Sequence, residues 1–350
     1  MTQTHFHPNR PVALWLFAMA AMVFVMVVLG GLTRLTHSGL SMVEWQPLIG
    51  ALPPLSEAEW TLFFEKYKQF PEYQKLNAHM TLAEFKGIFW LEYFHRLWGR
   101  AMGLVFLLPF LWFLFKGRID RALAPRIALI FVLGGLQGAL GWYMVASGLV
   151  DRPDVSQYRL TAHLGAAFLI QAALVWVGLS LVRPRTVFAY SLRALALRRW
   201  LIGLLVLIVL TVLAGGFVAG TDAGFKFNTF PLMDGTLVPT HFLFPESPWW
   251  VNLFEDEATI QFGHRLLAIL TLIAALVAWM KSRQAALPPR AHRVCQAVGL
   301  MALVQVGLGI ATLLLIVPVW LGSAHQAGAV VLFTLALWAL HELRPSAAKG

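Results

Sequence analysis

Long apolar runs separated by short polar stretches dominate the chain. Runs of roughly twenty mostly apolar residues recur at about 11–34, 94–115, 127–149, 160–182, 200–220, 263–280, 296–319 and 321–341. Each is long enough to cross a hydrocarbon core about 30 Å thick as a helix. The pattern predicts an all-α, polytopic membrane protein with eight transmembrane helices. The first run opens at Pro11 beside Arg10 and lacks a small-residue cleavage signature, so it is expected to be a retained span. Two of the intervening stretches, 35–92 and 221–262, are long and rich in Trp, Phe and Pro. They are expected to cover the ends of the helices, with Trp45, Trp60, Trp90, Trp249 and Trp250 suited to an interfacial belt. Ser56 followed by Glu59 has the form of a capping box, which predicts a short amphipathic helix over 56–70.

The eight runs fall into two sets of four that repeat each other. Leu29-Gly30-Gly31 with Thr36-His37-Ser38-Gly39 answers to Ala214-Gly215-Gly216 with Thr221-Asp222-Ala223-Gly224. Phe94-His95-Arg96-Leu97 answers to Gly263-His264-Arg265-Leu266, and Gln137 through Gly141 answers to Gln305 through Gly309. Thr161-Ala162-His163-Leu164-Gly165 answers to Ser323-Ala324-His325-Gln326-Ala327. With an even number of spans per set, both sets start on the same side of the membrane. The expected architecture is two tandem four-helix bundles related by a pseudo-twofold along the membrane normal. Residues 1–182 and 200–350 form the two bundles, and 183–199 is a basic linker.

Composition agrees: 59% of the 350 residues are apolar and the mean hydropathy is +0.69, which excludes an ordinary soluble domain. The net charge of +10 does not point to nucleic acid, because the basic residues follow the topology. Segments 116–126, 183–199 and 281–293 carry four, five and four Lys or Arg against one, zero and zero acids; 35–92 carries four against seven. That asymmetry puts both termini in the cytoplasm and the long loops outside, in the periplasm if the membrane is a bacterial inner membrane. With Cys295 as the only cysteine, an intramolecular disulfide, a cysteine-pair redox centre and a thiolate metal cluster are all excluded.

Four histidines, His95, His163, His264 and His325, are expected near the first turns of spans two, four, six and eight, all of which begin outside. One imidazole in hydrocarbon is ordinarily an inter-helix hydrogen bond or a headgroup contact. Four at comparable depth, two per repeat, call for something that consumes imidazole ligands. Haem fits, with His95 paired to His163 and His264 paired to His325 as axial ligands. Zinc fits less well, since no cysteine and few carboxylates accompany them. Gly134, Gly135, Gly138, Gly141, Gly307 and Gly309 remove bulk where a macrocycle or a neighbouring helix approaches. Arg34, Arg96, Arg100, Arg159 and Arg265 suit porphyrin propionates, or else lipid phosphates. Glu92 stands three residues before His95, whereas Gln261 stands three before His264. A carboxylate can take up a proton or stabilise a cationic intermediate and an amide cannot, so chemistry is expected in the first half, unless Glu92 merely pairs with Arg96.

These residues carry a resemblance to the haem A synthase family, in its proteobacterial and mitochondrial branch. The match runs through Gly30 to Thr36, Ser38 to Ser41, Trp45-Gln46-Pro47, Gly50 to Pro54, Glu92 to Arg100, Gln137 to Trp142, Met144 and His163. It continues through Ala214 to Gly216, Ala219-Gly220, Asp222 to Gly224, Asn228 to Pro231, His264-Arg265 and His325-Gln326. The resemblance implies a resident haem b on His264 and His325 and a farnesylated substrate, haem O, beside Glu92, His95 and His163. It implies oxidation of the C8 methyl group to a formyl group, with water supplying the oxygen through a diol, to give haem A. A haem O synthase, the cytochrome oxidase assembly machinery, a quinone or another electron acceptor, and further copies of the chain are the partners it implies. Some relatives carry a cysteine pair in the outer loops; here there is none, so electrons leave by another route. A di-haem electron-transfer protein would explain the histidines but not the Glu92/Gln261 difference. A transporter built of two repeats predicts polar groups at the membrane midplane instead.

Overall fold

The computed structural model describes residues 9–44, 52–148, 155–183, 191–239, 242 and 248–344. Trp45, the motif positions 45–51 and linker residues 184–190 lie outside the described residues. The described chain folds into helices α1 (Arg10–Leu35), α2 (Glu57–Tyr67), α3 (Pro71–Lys75), α4 (Leu82–Phe115), α5 (Ala124–Gly148) and α6 (Gln157–Val182). These are followed by α7 (Leu192–Gly220), α8 (Asn252–Glu255), α9 (Glu257–Gln284), α10 (Pro289–Leu314) and α11 (Val319–Glu342), and no strand forms among the described residues. Eight of them, α1, α4, α5, α6, α7, α9, α10 and α11, are long and apolar enough to cross a membrane. The protein is a multi-pass, all-α membrane protein.

Helices α1, α4, α5 and α6 contact one another in sequence and close through α1 and α6; α7, α9, α10 and α11 do the same through α7 and α11. The two rings meet where α6 touches α7 and α11, and where α1 touches α11. Their shared core includes Leu16, Leu174, Leu204, Ile208 and Ala336, with Phe168 edge-on to Phe333 at 5.1 Å. Gly216 allows the close approach of α7 to α6, since a Cβ there would meet Thr161 Oγ1 at 2.8 Å and its Cα at 3.3 Å.

The same local geometry ends α1 and α7. Thr36 Oγ1 donates to Leu32 O at 2.8 Å and Thr221 Oγ1 to Phe217 O at 2.9 Å. The following residues, His37 and Asp222, both turn left-handed at φ 48° and 55°. Arg34 reaches from the first set to the second, donating to Asp222 Oδ1 at 2.8 Å and Ala219 O at 3.1 Å.

The long loop after α1 folds into a cap. Ser56 and Glu59 form the reciprocal capping box that starts α2, as their spacing predicts. A second box, Thr81 with Glu84, starts α4. Helix α4 has 34 residues, about 51 Å at 1.5 Å per residue, so its first turns project past a 30 Å hydrocarbon layer. Trp60, Phe64, Tyr67, Phe85, Phe89 and Tyr93 bury one another between α2 and those projecting turns. Burial and the nearby Glu72 carboxylate push the Tyr67 hydroxyl well above the usual tyrosine range. In the other loop Trp249 and Trp250 remain mostly exposed, as a belt requires.

Candidate functional site

His95 projects from α4, His163 from α6, His264 from α9 and His325 from α11. The expectation that all four lie near first turns fails for His95, because α4 begins at Leu82, thirteen residues earlier. The apolar run gives no hint of this: the added turns carry Glu84 and Lys86, start at the Thr81/Glu84 box and are covered by the cap. The other three lie six or seven residues into their helices.

The His264 and His325 ring centroids stand 6.4 Å apart with their planes at 89°. With metal–nitrogen bonds of about 2 Å on each side, two imidazoles sharing one metal put their centroids roughly 6 Å apart, so the pair fits an axial ligand set. Among the described residues no group of three or more His, Cys, Asp or Glu is placed to hold a bare ion. Two nitrogen donors without further protein ligands suit an iron whose other positions belong to a porphyrin. His95 and His163 also lie within electrostatic reach of each other.

Every one of these rings backs onto a glycine of the preceding span. A Cβ would stand 3.2 Å from His95 Cε1 at Gly30 and 2.9 Å from His163 Cε1 at Gly141. At Gly215 it would stand 3.0 Å from His264 Cε1, and at Gly309 2.8 Å from His325 Cε1. A side chain at any of the four would push the ring off its position. Gly134, Gly135, Gly138 and Gly307 are different, with no protein heavy atom within 4 Å of a Cβ.

The ring nitrogens separate the two pairs. His264 Nδ1 lies 3.1 Å from Thr211 O, a carbonyl that only accepts; the proton therefore sits on Nδ1 and leaves the Nε2 lone pair for a metal. His325 Nδ1 lies 3.2 Å from Gln305 Nε2, and the same amide donates to His325 O at 2.8 Å. Gln137 donates to His163 O at 2.9 Å in the equivalent way. Yet His163 Nδ1 and His95 Nδ1 are buried without any hydrogen-bond partner. The two glutamines stand out in the sequence repeat, but spacing alone does not say that their amides reach histidines; the Thr211 carbonyl leaves no sequence signal at all.

One turn outward, Glu92 and Gln261 hold down the loops. Glu92 Oε2 accepts from Ser41 Oγ and from the Met42 amide, each at 2.6 Å, and Oε1 pairs with Arg96. Arg96 also donates to Met42 O at 2.7 Å and Glu44 O at 3.1 Å. Gln261 Nε2 donates to Ala223 O at 2.7 Å and Lys226 O at 2.5 Å, and its Oε1 accepts from Arg265 at 2.8 Å. Arg265 also donates to Phe227 O at 2.6 Å and Thr229 O at 2.8 Å. Carboxylate and amide thus perform the same mechanical task, and Glu92 has both oxygens engaged. Arg34 is held by Asp222, and Arg159 lies over the Tyr143 ring at 4.2 Å. Arg100 is half-buried one turn beyond Arg96 along α4. Two surface clefts lie away from the histidines, one of about 450 Å³ beside Thr36 and Leu91 and one of about 550 Å³ beside Trp200 and Lys281.

The family described as cytochrome oxidase assembly protein matches residues 13–337. The chain is 58% identical over 339 residues to the heme A synthase of Paramagnetospirillum magneticum, covering 96% of this chain and 94% of that protein. It is 53% identical over 343 residues to the heme A synthase of Nitrosospira multiformis, covering 98% and 96%. It is also 46% identical over 342 residues to the heme A synthase COX15 of Bos taurus, covering 96% and 83%.

Proposed function

The chain belongs to the cytochrome oxidase assembly family that includes these haem A synthases, an enzyme of haem A biosynthesis, and from that premise we propose how its halves divide the work. His264 and His325 hold a resident haem b; His95 and His163 receive haem O, whose C8 methyl group is oxidised to the formyl group of haem A.

The observation that carries this reading is the contrast between the ring nitrogens. A permanent ligand gains from a partner that holds its ring, and His264 and His325 have one each, although only the Thr211 carbonyl at His264 also places the proton on Nδ1. A site that takes in and releases its porphyrin needs less fixed rings, and the Nδ1 atoms of His95 and His163 are left unpartnered.

Conversion of a methyl to a formyl group with water as oxygen source releases four electrons and four protons. Haem b, when bound through two imidazoles, supplies single-electron transfer without an open position for O₂. The chain's own residues hold the geometry. Glu92 and Arg96 fasten Ser41 to Glu44 one turn outward from His95.

The distribution of basic residues supports both termini on the cytoplasmic side and the histidines toward the outer side, the periplasm for a bacterial inner membrane. Haem O arrives from the enzyme that makes it, an acceptor such as a quinone removes electrons, and haem A passes to cytochrome oxidase assembly.

The test is pigment retention. Protein purified without haem O is expected to carry protohaem with a six-coordinate low-spin spectrum. His264→Ala and His325→Ala lose it, while His95→Ala and His163→Ala keep it but no longer form haem A. Loss of the protohaem on His95→Ala with retention on His264→Ala would reverse the assignment.

A further inference from the structure

We propose that the gap between α4 and α5 is a slot for the isoprenoid chain of the substrate porphyrin, and that Gly103, Gly134 and Gly138 select an isoprenylated porphyrin over an unsubstituted one. The proposal rests on the reading of the first four helices as the substrate side and deepens it.

The floor of the gap is an aromatic contact, Phe106 of α4 against Phe131 of α5, with centroids 5.5 Å apart. From that floor α5 climbs ten residues, about 15 Å, to Gly141, against which the His163 ring rests. Between the two levels lie Gly134, Gly135 and Gly138 on α5, and Gly103 on α4 one turn above Phe106. At each, no protein heavy atom comes within 4 Å of a Cβ, and each is exposed toward the lipid side. The walls are helix backbone whose hydrogen bonds are already made inside each helix, so they ask nothing polar of what lies between them.

The other half of the chain carries larger side chains at the same places. In the register that aligns Gln137 with Gln305, the counterparts of Gly134, Gly135 and Gly138 are Ala302, Leu303 and Val306. In the register that aligns His95 with His264, the counterpart of Gly103 is Leu272. Ala302 is 1% exposed and Leu272 packs on the core. Phe131 answers to Gly299, whose Cβ position is closed by the Trp279 ring at 2.8 Å. Consequently α9 and α10 pack far more closely than α4 and α5. The half assigned to a porphyrin without a long chain is closed beneath its histidines, and the half assigned to one with such a chain is open there.

A second observation lies at the head of the slot. His95 Nδ1, His163 Nδ1 and Gln137 Oε1 are buried polar atoms without hydrogen-bond partners, clustered where the porphyrin ring would sit above its chain. Opening toward lipid also gives a long apolar chain a sideways entry that avoids the aqueous cap.

The experiment titrates the full-length protein, carrying its resident haem, with haem O and with protohaem separately, reading occupancy of the second site by absorbance. Gly138→Val and Gly103→Leu install the residues of the other half. Wild type is expected to prefer haem O. Each variant is expected to weaken haem O binding about tenfold or more, an overpacking effect, and to leave protohaem binding within about twofold. Retained resident haem certifies the fold; if it is lost, Gly134→Ala, which copies Ala302, replaces the larger variants with the same direction expected. Equal weakening of both porphyrins, or of neither, overturns the proposal and leaves the gap to bilayer lipid. Failure of wild type to take up either porphyrin overturns the substrate-side reading itself.

Discussion

Gly309→Ala tests the axial-ligand geometry where it is tightest. The added Cβ would stand 2.8 Å from His325 Cε1, and ordinary contact begins at 3.4 Å, so the ring must retreat by about 0.6 Å. Metal–ligand distances hold to within about 0.2 Å, so the retreat is roughly three times what one bond tolerates. The α11 side has little room to absorb it, because α11 packs closely on α10 and is among the most buried spans. Overpacking of this kind costs about 1–3 kcal/mol, and at about 1.4 kcal/mol per decade haem affinity is expected to fall one to two orders of magnitude. The assay is the ratio of haem absorbance to protein in purified samples, with the share of low-spin iron read from the same spectra. Gly30→Ala provides the internal control: its Cβ meets His95 Cε1 at 3.2 Å, in the other half, and it should leave the resident pigment intact. Gly39→Ala, where no heavy atom lies within 4 Å, controls for handling. A Gly309→Ala protein with full haem content and an unchanged six-coordinate spectrum would refute the placement of iron between His264 and His325.

Other consequences are equally direct. Glu92→Ala leaves Arg96, Ser41 and the Met42 amide without their shared acceptor; breaking such a buried pair costs about 3–5 kcal/mol locally. It should release the loop to protease and abolish haem A formation while haem b stays bound, and loss of haem b would contradict the division between halves. Glu92→Gln, which copies Gln261, should keep the loop docked, so any remaining defect in conversion measures the need for a carboxylate. Gln305→Leu should weaken haem b retention whereas Gln137→Leu should not, compared by absorbance per protein; equal effects would remove the distinction between the two pairs. Cys295, fully buried in α10, should resist maleimide until the protein is denatured, and labelling of the folded protein would show that α10 is misplaced. Asp222→Asn should change stability by less than about 1 kcal/mol despite its contact with Arg34, since its side chain is 41% exposed.

Much of the fold is legible in the sequence because its causes are local. Eight apolar runs have no alternative in a bilayer but to become helices that satisfy their own backbones, and the Ser56/Glu59 box starts α2 through side chains three residues apart. The four histidines and their flanks also repeat openly, and the pair that the repeat puts together in the second half, His264 with His325, is a ring contact in the fold. The first turns of α4 lie outside the apolar run; their local signal is the Thr81/Glu84 box, while the aromatic packing with a distant segment that covers them leaves no mark in the spacing. The work of Glu92 was hidden, since it reads as a lone acid near a histidine until the loop fifty residues away brings Ser41 and Met42 onto it. The difference between histidines that have ring partners and histidines that do not rests on a backbone carbonyl at Thr211 and on the reach of Gln305, neither of which residue type announces. Periodicity and short-range capping act within a few residues and leave their mark on the order of amino acids; hydrogen bonds between helices depend on how those helices lie against one another, and only the assembled bundle fixes that.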